Sequence, residues 1–251
     1  MPVVWLRKFG IKCLYQPNYC QQLGLFAGAA PVAATYRNFL NIAASLFPYI
    51  HINLNPDAIV VAADFRLQKK KNLLLPFGNS YAAIQKKYSE NHQRNISKAI
   101  KAQLAFAEHG DLKSFQKFYL QNINRAKENF KPQHEKIFKK LTQVLISNGR
   151  GTIYTAQDKS GNLQAAVLLV THKTRLTGII NTSSAEGKKQ GASHFVFDQI
   201  IQKFSGSGLV LDFEGSSIPG IARFYEGFGA TEETFYSWKH TLLKNISQRF
   251  A

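Results

Sequence analysis

The chain has 251 residues, of which 45% are hydrophobic, which is enough for one large domain or two small ones. Its 32 basic and 15 acidic residues give a net charge of +17, which predicts an anionic partner, although a solvated basic surface would also explain it. The two cysteines cannot form a disulfide framework, which favours a cytoplasmic setting, and the scattered histidines exclude a metal site. No apolar run reaches about 18 residues, which excludes a membrane span.

The first hundred residues alternate short apolar runs with polar stretches. Pro31 opens a run with apolar residues at helical spacing, which predicts a helix over 31–46. Residues 81–101 are predicted to be helical, with a break near Asn91. The lysine run 69–71 is expected to be a hairpin tip. Strands are predicted at the short apolar or alternating runs 11–15, 22–26, 49–54, 58–63 and 72–75.

The remaining residues predict a more regular pattern. Asp111 is placed to cap a helix, and Pro132 opens another that ends at Asn148-Gly149. A polar, glycine-bearing loop is expected over 185–193, followed by a helix over 194–204. A short helix is expected over 219–228, and strands are expected at 103–107, 152–156, 163–171, 176–182, 208–213 and 235–239. Meandering strands followed by crossover helices predict an α/β chain with a mixed sheet and helices on both faces.

The basic excess is unevenly distributed along the chain. Residues 1–100 hold 12 basic and 3 acidic side chains, residues 101–150 hold 10 and 4, and residues 151–251 hold 10 and 8. We therefore expect a basic approach surface in the first three-fifths and a chemical site in the rest. The sequence has no P-loop, no GxSxG and no well-placed GxGxxG, which excludes common nucleotide-binding and hydrolase classes.

One segment resembles the acyl-CoA loop of GNAT-type N-acetyltransferases. The strand end TGIINTSS is followed by Lys188, Lys189, Gln190, Gly191, Ala192 and Ser193, and then by a helix. Backbone N–H groups at a helix N-terminus can cradle a diphosphate, and small residues allow its close approach. The resemblance implies that these six residues bind the acyl-CoA donor.

A second motif, PGIARFYEGFGA at 219–230, resembles the short GNAT helix that carries a tyrosine. The resemblance implies that Tyr225 protonates the thiolate that leaves when an acyl group moves to an amine. A packed aromatic side chain with no chemical role is the alternative.

The longer string LDFEGSSIPGIARFYEGFGA at 211–230 resembles the C-terminal signature of Fem-type, or FemAB-like, proteins. Residues 88–102 and 14–26 resemble two further segments of those proteins, in the same order. The resemblance implies a tandem GNAT-like fold with a partial first half over 1–100 and a complete acyltransferase half over 101–251. The first half is expected to lack its opening strands.

Two carboxylates follow the strand at 208–213. Asp212 and Glu214 are two residues apart and would point to the same side of the sheet if the strand continued to Glu214. Glu214 is the first choice for the base that takes the ammonium proton, and Asp212 is either a second catalytic group or a residue that orders the turn.

Three functions remain open at this point. The first is transfer of an acyl group from acetyl-CoA or another acyl-CoA to an amine on a small molecule or peptide. The second, which the Fem resemblance implies, is aminoacyl transfer from aminoacyl-tRNA to a peptidoglycan precursor, with tRNA on the basic surface. The third is a GNAT-like binding module without catalysis.

Overall fold

The computed structural model describes residues 1–29, 31–123, 130–214 and 218–242. Its strands are β1 (Trp5–Lys8), β2 (Ile11–Tyr15), β3 (Tyr49–Leu54), β4 (Gln68–Pro76), β5 (Ala105–Glu108), β6 (Gly151–Gln157), β7 (Leu163–His172), β8 (Arg175–Ser183), β9 (Val210–Asp212) and β10 (Thr231–Thr241). Its α-helices are α1 (Ala33–Leu46), α2 (Tyr81–Gln85), α3 (Glu90–Lys101), α4 (Leu112–Asn122), α5 (Pro132–Ser147), α6 (Ala185–Gln190), α7 (Ala192–Phe204) and α8 (Pro219–Glu226). The predicted mixed sheet with helices is therefore confirmed.

The first compact unit comprises residues 1–72 and 232–251. Its strands follow the order β1-β2-β3-β10, with β2 and β3 parallel and the outer pairs antiparallel. Helix α1 buries Tyr36, Leu40 and Ala43, which lie on one face because they are four and three residues apart. These side chains pack in a core with Ile50 and Trp238.

The second unit comprises residues 73–231 and carries the predicted motifs. Its strands follow the order β4-β9-β8-β7-β6-β5, in which only β8 and β9 are parallel among the described pairs. Helix α7 packs against β6, β7 and β8, and α3 packs against α7. The core includes Val167 and Leu169 of β7 with Val196 and Ile200 of α7.

The compact units do not divide at residue 100, where the sequence analysis placed the boundary. Helices α2 and α3 belong to the second unit because α3 packs on α7 and α6. The C-terminal strand β10 belongs to the first unit because it pairs with β3 from Tyr236 to Thr241. Contacts between segments distant in sequence decide this division, and a linear reading of composition cannot show them.

Most predicted elements are confirmed, and four predictions were wrong. The apolar run 58–63 lies mainly in a 3₁₀ helix over Pro56–Val61, which buries Ala58 and Val61 at the three-residue spacing of that helix. Residues 22–26 form a single bridge at Leu23 instead of a strand, and 69–71 lie inside β4 instead of at a hairpin tip. The predicted loop 185–193 is mostly the helix α6.

Candidate active site

A local opening in the sheet defines the candidate site. The parallel strands β8 and β9 are paired from Arg175–Thr177 to Val210–Asp212, and β8 then continues for six more residues, Gly178–Ser183. The chain after β9 follows β4 instead, since the Phe213 N–H donates to the carbonyl of Leu73. The two parallel strands therefore separate at their carboxyl ends, where α/β sheets commonly bind ligands.

A β-bulge lies at the start of this opening. In the register with β7, Leu169 faces Gly178 and Leu168 faces Ile180, so Ile179 is the extra residue of the bulge. A bulge takes one residue out of the regular ladder and locally turns the strand. It therefore redirects the backbone of β8 at the point where β9 ends.

Tyr225 lies at this opening, on α8. Its ring stacks on Phe213 at 4.3 Å between centroids and contacts Phe197 at 5.9 Å, and the residue is only 5% exposed. Burial above all, with a smaller contribution from the charge of Glu214, raises the pKa of Tyr225 to about 12, against a side-chain hydrogen bond with Asn181 that lowers it. The phenol therefore stays protonated at neutral pH and is available as a hydrogen-bond donor.

Asn181 was not predicted, and it connects three elements of the site. It lies on the separated part of β8, is solvent-exposed, and hydrogen-bonds Tyr225 of α8. Its side-chain oxygen also accepts a hydrogen bond of 3.2 Å from the hydroxyl of Ser193, in the first turn of α7. In the sequence, Asn181 is one polar residue of a strand pattern, between Ile180 and Thr182. Such a residue is too common to be recognised as part of a functional site.

Asp212 and Glu214 are placed differently from each other. Asp212 is buried, accepts a hydrogen bond of 2.9 Å from Arg175, and accepts another of 3.1 Å from the Glu214 N–H. The strand ends at Asp212, and Glu214 has a φ of 40°, so the condition for both carboxylates to share one strand face is not met. Asp212 thus holds the turn after β9, while Glu214 is near enough to Tyr225 to influence its pKa.

The predicted donor-binding segment is divided between two helices. Lys188, Lys189 and Gln190 form the end of α6, where both lysines are exposed and Lys189 pairs with Glu186 at 3.3 Å. Gly191 joins the helices with a φ of 75° and Ala192 begins α7. This segment was expected to expose small residues, but Gly191 and Ala192 are buried.

Helix α3 covers the first turn of α7. A Cβ on Gly191 would clash with the backbone carbonyl of Asn95, so the two backbones touch at this point. Of the three small residues, Ser193 alone keeps partial exposure, and its hydroxyl is bonded to Asn181. The backbone surface that was predicted to cradle a diphosphate is therefore in contact with protein.

Two histidines form the wall between α3, α7 and α8. The rings of His92 and His194 are 4.7 Å apart, and both contact Phe224 and Phe228. Burial lowers the pKa of His92, and burial together with the neighbouring His92 and Lys98 lowers the pKa of His194 to about 4. Both rings are neutral at pH 7, so they form a mainly apolar wall instead of a phosphate-binding site.

Two kinds of larger site are absent from the described part of the chain. No group of three or more histidine, cysteine, aspartate or glutamate side chains is arranged to hold a metal ion there. Within the same residues, no helix is both long and apolar enough to cross a membrane.

Comparison with solved structures identifies the fold. The chain is similar to FemX, with a TM-score of 0.66 and 11% identity over 99% of this chain and 86% of that one. The chain has the GNAT-like fold of the Fem type. It is also similar to L-PGS from Bacillus licheniformis, with a TM-score of 0.60 and 9% identity over 98% of this chain and 82% of that one.

A third similar structure is the C-terminal DUF2156 domain of a protein from Agrobacterium fabrum named as a lysylphosphatidylglycerol synthetase. The TM-score is 0.59, with 13% identity over 95% of this chain and 80% of that one. No protein-family model matches the sequence, and no curated protein resembles it at the sequence level. At these identities, the Fem-type likeness describes the fold, while the activity must be argued from the site.

Proposed function

We propose that the chain transfers an aminoacyl group from the ester of an aminoacyl-tRNA to the amine of an acceptor. The observation that carries this choice of donor is the cover of α3 over the first turn of α7. An acyl-CoA donor would use the N–H groups of that turn for its diphosphate, but Gly191 lies against the backbone of Asn95 and Ala192 is buried. An ester at the end of a tRNA needs no diphosphate cradle. The Fem resemblance of the sequence implies the same donor.

The acidity of Tyr225 supports an ester donor. A general acid donates its proton favourably only to a leaving group that is at least as basic as the conjugate base of the acid. A thiol has a pKa of about 8.5, so a phenol with a pKa of about 12 is a poor acid for a leaving thiolate. A ribose hydroxyl is a much weaker acid than a thiol, and its alkoxide matches the Tyr225 phenol well.

The reaction assigns a separate task to each group at the opening. The acceptor nitrogen bonds to the ester carbonyl carbon, and the carbon–oxygen bond to the ribose breaks. The ribose oxygen receives the proton of the Tyr225 hydroxyl. The acceptor nitrogen loses its proton to Glu214 or to water, and the Tyr225 phenolate then takes up a proton from that same group. We assign to the backbone at the Ile179 bulge the stabilisation of the negative carbonyl oxygen of the intermediate, because a residue outside the regular ladder can direct its N–H toward a ligand.

A polar groove at the end of β8 suits the acceptor. Its volume is about 520 Å³, and it reaches Ser184, the residue directly after the strand. Lys117 is the charged residue of its lining, so the groove fits a neutral or anionic peptide or amino-sugar. The lining residues are Ser114, Lys117, Phe118, Gln121, Asn122, Gly161, Asn162, Leu163 and Ser184.

The helices around the opening are basic on their outer sides. Arg94 and Lys98 of α3 are exposed, as are Lys188 and Lys189 of α6, and α3 packs against α6. Such a surface attracts the phosphates of tRNA, and the binding should weaken steeply with salt.

The test is a direct comparison of donors. The protein is mixed with a lysine-containing peptide and either radiolabelled aminoacyl-tRNAs or labelled acetyl-CoA, and label on the peptide is counted. We expect label from aminoacyl-tRNA and a transfer rate that falls with salt. Labelling from acetyl-CoA alone would overturn the proposal, as would tRNA affinity that does not change with salt.

Acyl-CoA is the second candidate donor. It is favoured by the exposed side chain of Lys188 beside the start of α7, which could meet a diphosphate, whereas Lys189 is paired with Glu186. Calorimetric titration separates the candidates, since a CoA enzyme must bind acetyl-CoA saturably. For the aminoacyl-tRNA donor, we expect no heat of binding at millimolar acetyl-CoA.

A further inference from the structure

The first compact unit carries an exposed apolar patch that lies outside the segments resembling GNAT and Fem-type motifs. We define the patch by Val3, Trp5, Phe39, Ile42 and Leu46, whose side chains are between 40% and 57% exposed. They line a groove of about 300 Å³ whose walls are almost wholly apolar. A contiguous apolar surface of this kind on a folded protein usually marks a site of interaction.

Helix α1 shows why the patch is unusual. Its inner face buries Tyr36, Leu40 and Ala43, and its outer face presents the patch residues Phe39 and Ile42 together with Leu46. A surface helix normally has an apolar face toward the core and a polar face toward water. Helix α1 instead carries a second apolar stripe on its outer side, between exposed polar residues such as Asn38 and Asn41, as expected when that stripe meets an apolar phase.

The hairpin of β1 and β2, which contributes Trp5 to the patch, carries a second exposed aromatic ring at its tip. Phe9 at its tip is 76% exposed and has a φ of 52°, a conformation that bulky residues rarely adopt. Trp5 of the same hairpin is 49% exposed, and the Lys12 ammonium lies 5.9 Å from the centre of its ring. Both rings expose apolar surface to water, which is an unfavourable environment for it.

The charge of this region restricts the occupant. Residues 1–56 contain four basic side chains, Arg7, Lys8, Lys12 and Arg37, and no acidic one, but the guanidinium of Arg37 is paired with Asp64 at 2.7 Å. Three of the four belong to the hairpin. Two copies of the chain would bring these like charges together, which disfavours a symmetric dimer through the patch. An anionic apolar phase satisfies both the charge and the exposed rings.

We infer that the patch and the hairpin tip dock on the surface of a membrane containing anionic phospholipids. Trp5 and Phe9 enter the boundary between headgroups and acyl chains, which aromatic rings favour, and the outer face of α1 lies against it. The hairpin lysines and Arg7 meet the lipid phosphates. This inference is independent of the proposed aminoacyl transfer.

Vesicle sedimentation with the full chain tests the inference. The probes are vesicles of phosphatidylcholine alone and vesicles with about 30% phosphatidylglycerol, at low and high salt. We expect binding to the anionic vesicles, weaker binding at high salt, and little binding to the neutral ones. An intact, folded protein that binds neither kind of vesicle would overturn the inference.

Matched variants locate the binding surface. Ile42→Asp puts a charge on the patch, and Ile59→Asp is its control because Ile59 is similarly exposed in the same unit but outside the patch. Phe9→Asn removes the ring with a residue that tolerates positive φ, so folding should be kept. Lys12→Glu reverses a hairpin charge, and Lys159→Glu in the exposed turn after β6 is its control.

We expect Ile42→Asp, Phe9→Asn and Lys12→Glu each to weaken vesicle binding by about five-fold or more, and the two controls to leave it unchanged. Circular dichroism at each step confirms that the variants are folded. Equal binding by patch and control variants would overturn the inference. So would a dimer in sedimentation equilibrium that Ile42→Asp disrupts, because that result would assign the patch to a second copy.

Discussion

The imidazole Nε2 of His92 donates a hydrogen bond of 2.7 Å to the carbonyl oxygen of Phe224, the residue before Tyr225. The other ring nitrogen lies 2.9 Å from the hydroxyl of Ser89, which also caps α3. A neutral imidazole with its proton on Nε2 satisfies both partners at once. His92 therefore joins α3, which covers the start of α7, to the helix that carries the candidate catalytic tyrosine.

Gly227 leaves the space that the His92 ring occupies, since a Cβ at this position would overlap the ring. We predict that Gly227→Ala lowers the free energy of unfolding by about 1–3 kcal/mol, because α3 must move away from α8. Gly220→Ala is the control, because nothing lies within 4 Å of an added Cβ there. Urea unfolding followed by circular dichroism gives both values. Equal stability of the two variants would contradict this account of the contact.

The paired histidines predict a loss of stability in acid. The folded pKa of His92 lies below 6.5 and that of His194 is about 4, so the unfolded chain binds more protons between pH 6.5 and 4. Stability is therefore full above pH 6.5 and falls as the pH drops through that window, by about 1–2 kcal/mol between pH 7.5 and 5.

Unfolding free energies at the two pH values measure this effect. His194→Gln should reduce the pH dependence, and His172→Gln, at an exposed position, should leave it unchanged. If His194→Gln leaves the pH dependence of the unfolding free energy as it is in the wild-type protein, the acid sensitivity comes from other groups.

Tyr225→Phe tests the proton donor. We predict a decrease of about 10²–10⁴-fold in aminoacyl transfer, because the ribose oxygen then leaves without a positioned proton. Stability should fall by only about 1 kcal/mol, which is the loss of the hydrogen bond with Asn181. Tyr154→Phe is the matched control, since Tyr154 is also buried and burial likewise raises its pKa to about 12. If the transfer rate of Tyr225→Phe is unchanged, Tyr225 is a packed aromatic side chain and not the proton donor.

Asp212 is predicted to position the turn and not to act as the base. Removal of its partner in Arg175→Gln leaves a buried carboxylate, which should cost about 2 kcal/mol of stability because Arg175 is itself partly exposed. Adding Asp212→Asn to this variant should restore part of the loss, and a double-mutant cycle measures the coupling. Asp212→Asn should keep its transfer rate per folded molecule, whereas a rate loss at full stability would make Asp212 a catalytic group.

Local patterns in the sequence determined most of the helices and strands of the second unit. The strand over 163–171, the helix that begins at Pro132 and the cap at Asp111 all follow from apolar periodicity and from residues that start or end helices. The motif at 219–230 likewise identified the helix of Tyr225. These features depend on residues that are close together in the sequence, so the sequence alone predicts them.

The tertiary structure decided what surrounds those elements. The bond from His92 to Phe224 joins residues 132 positions apart, and the contact of Asn95 with Gly191 also joins segments that are distant in sequence. The predicted loop before α7 had the composition of a phosphate-binding loop, but α3 lies over it. Whether an N–H group faces a ligand or another helix depends on packing between distant segments, because burial is a property of the folded chain.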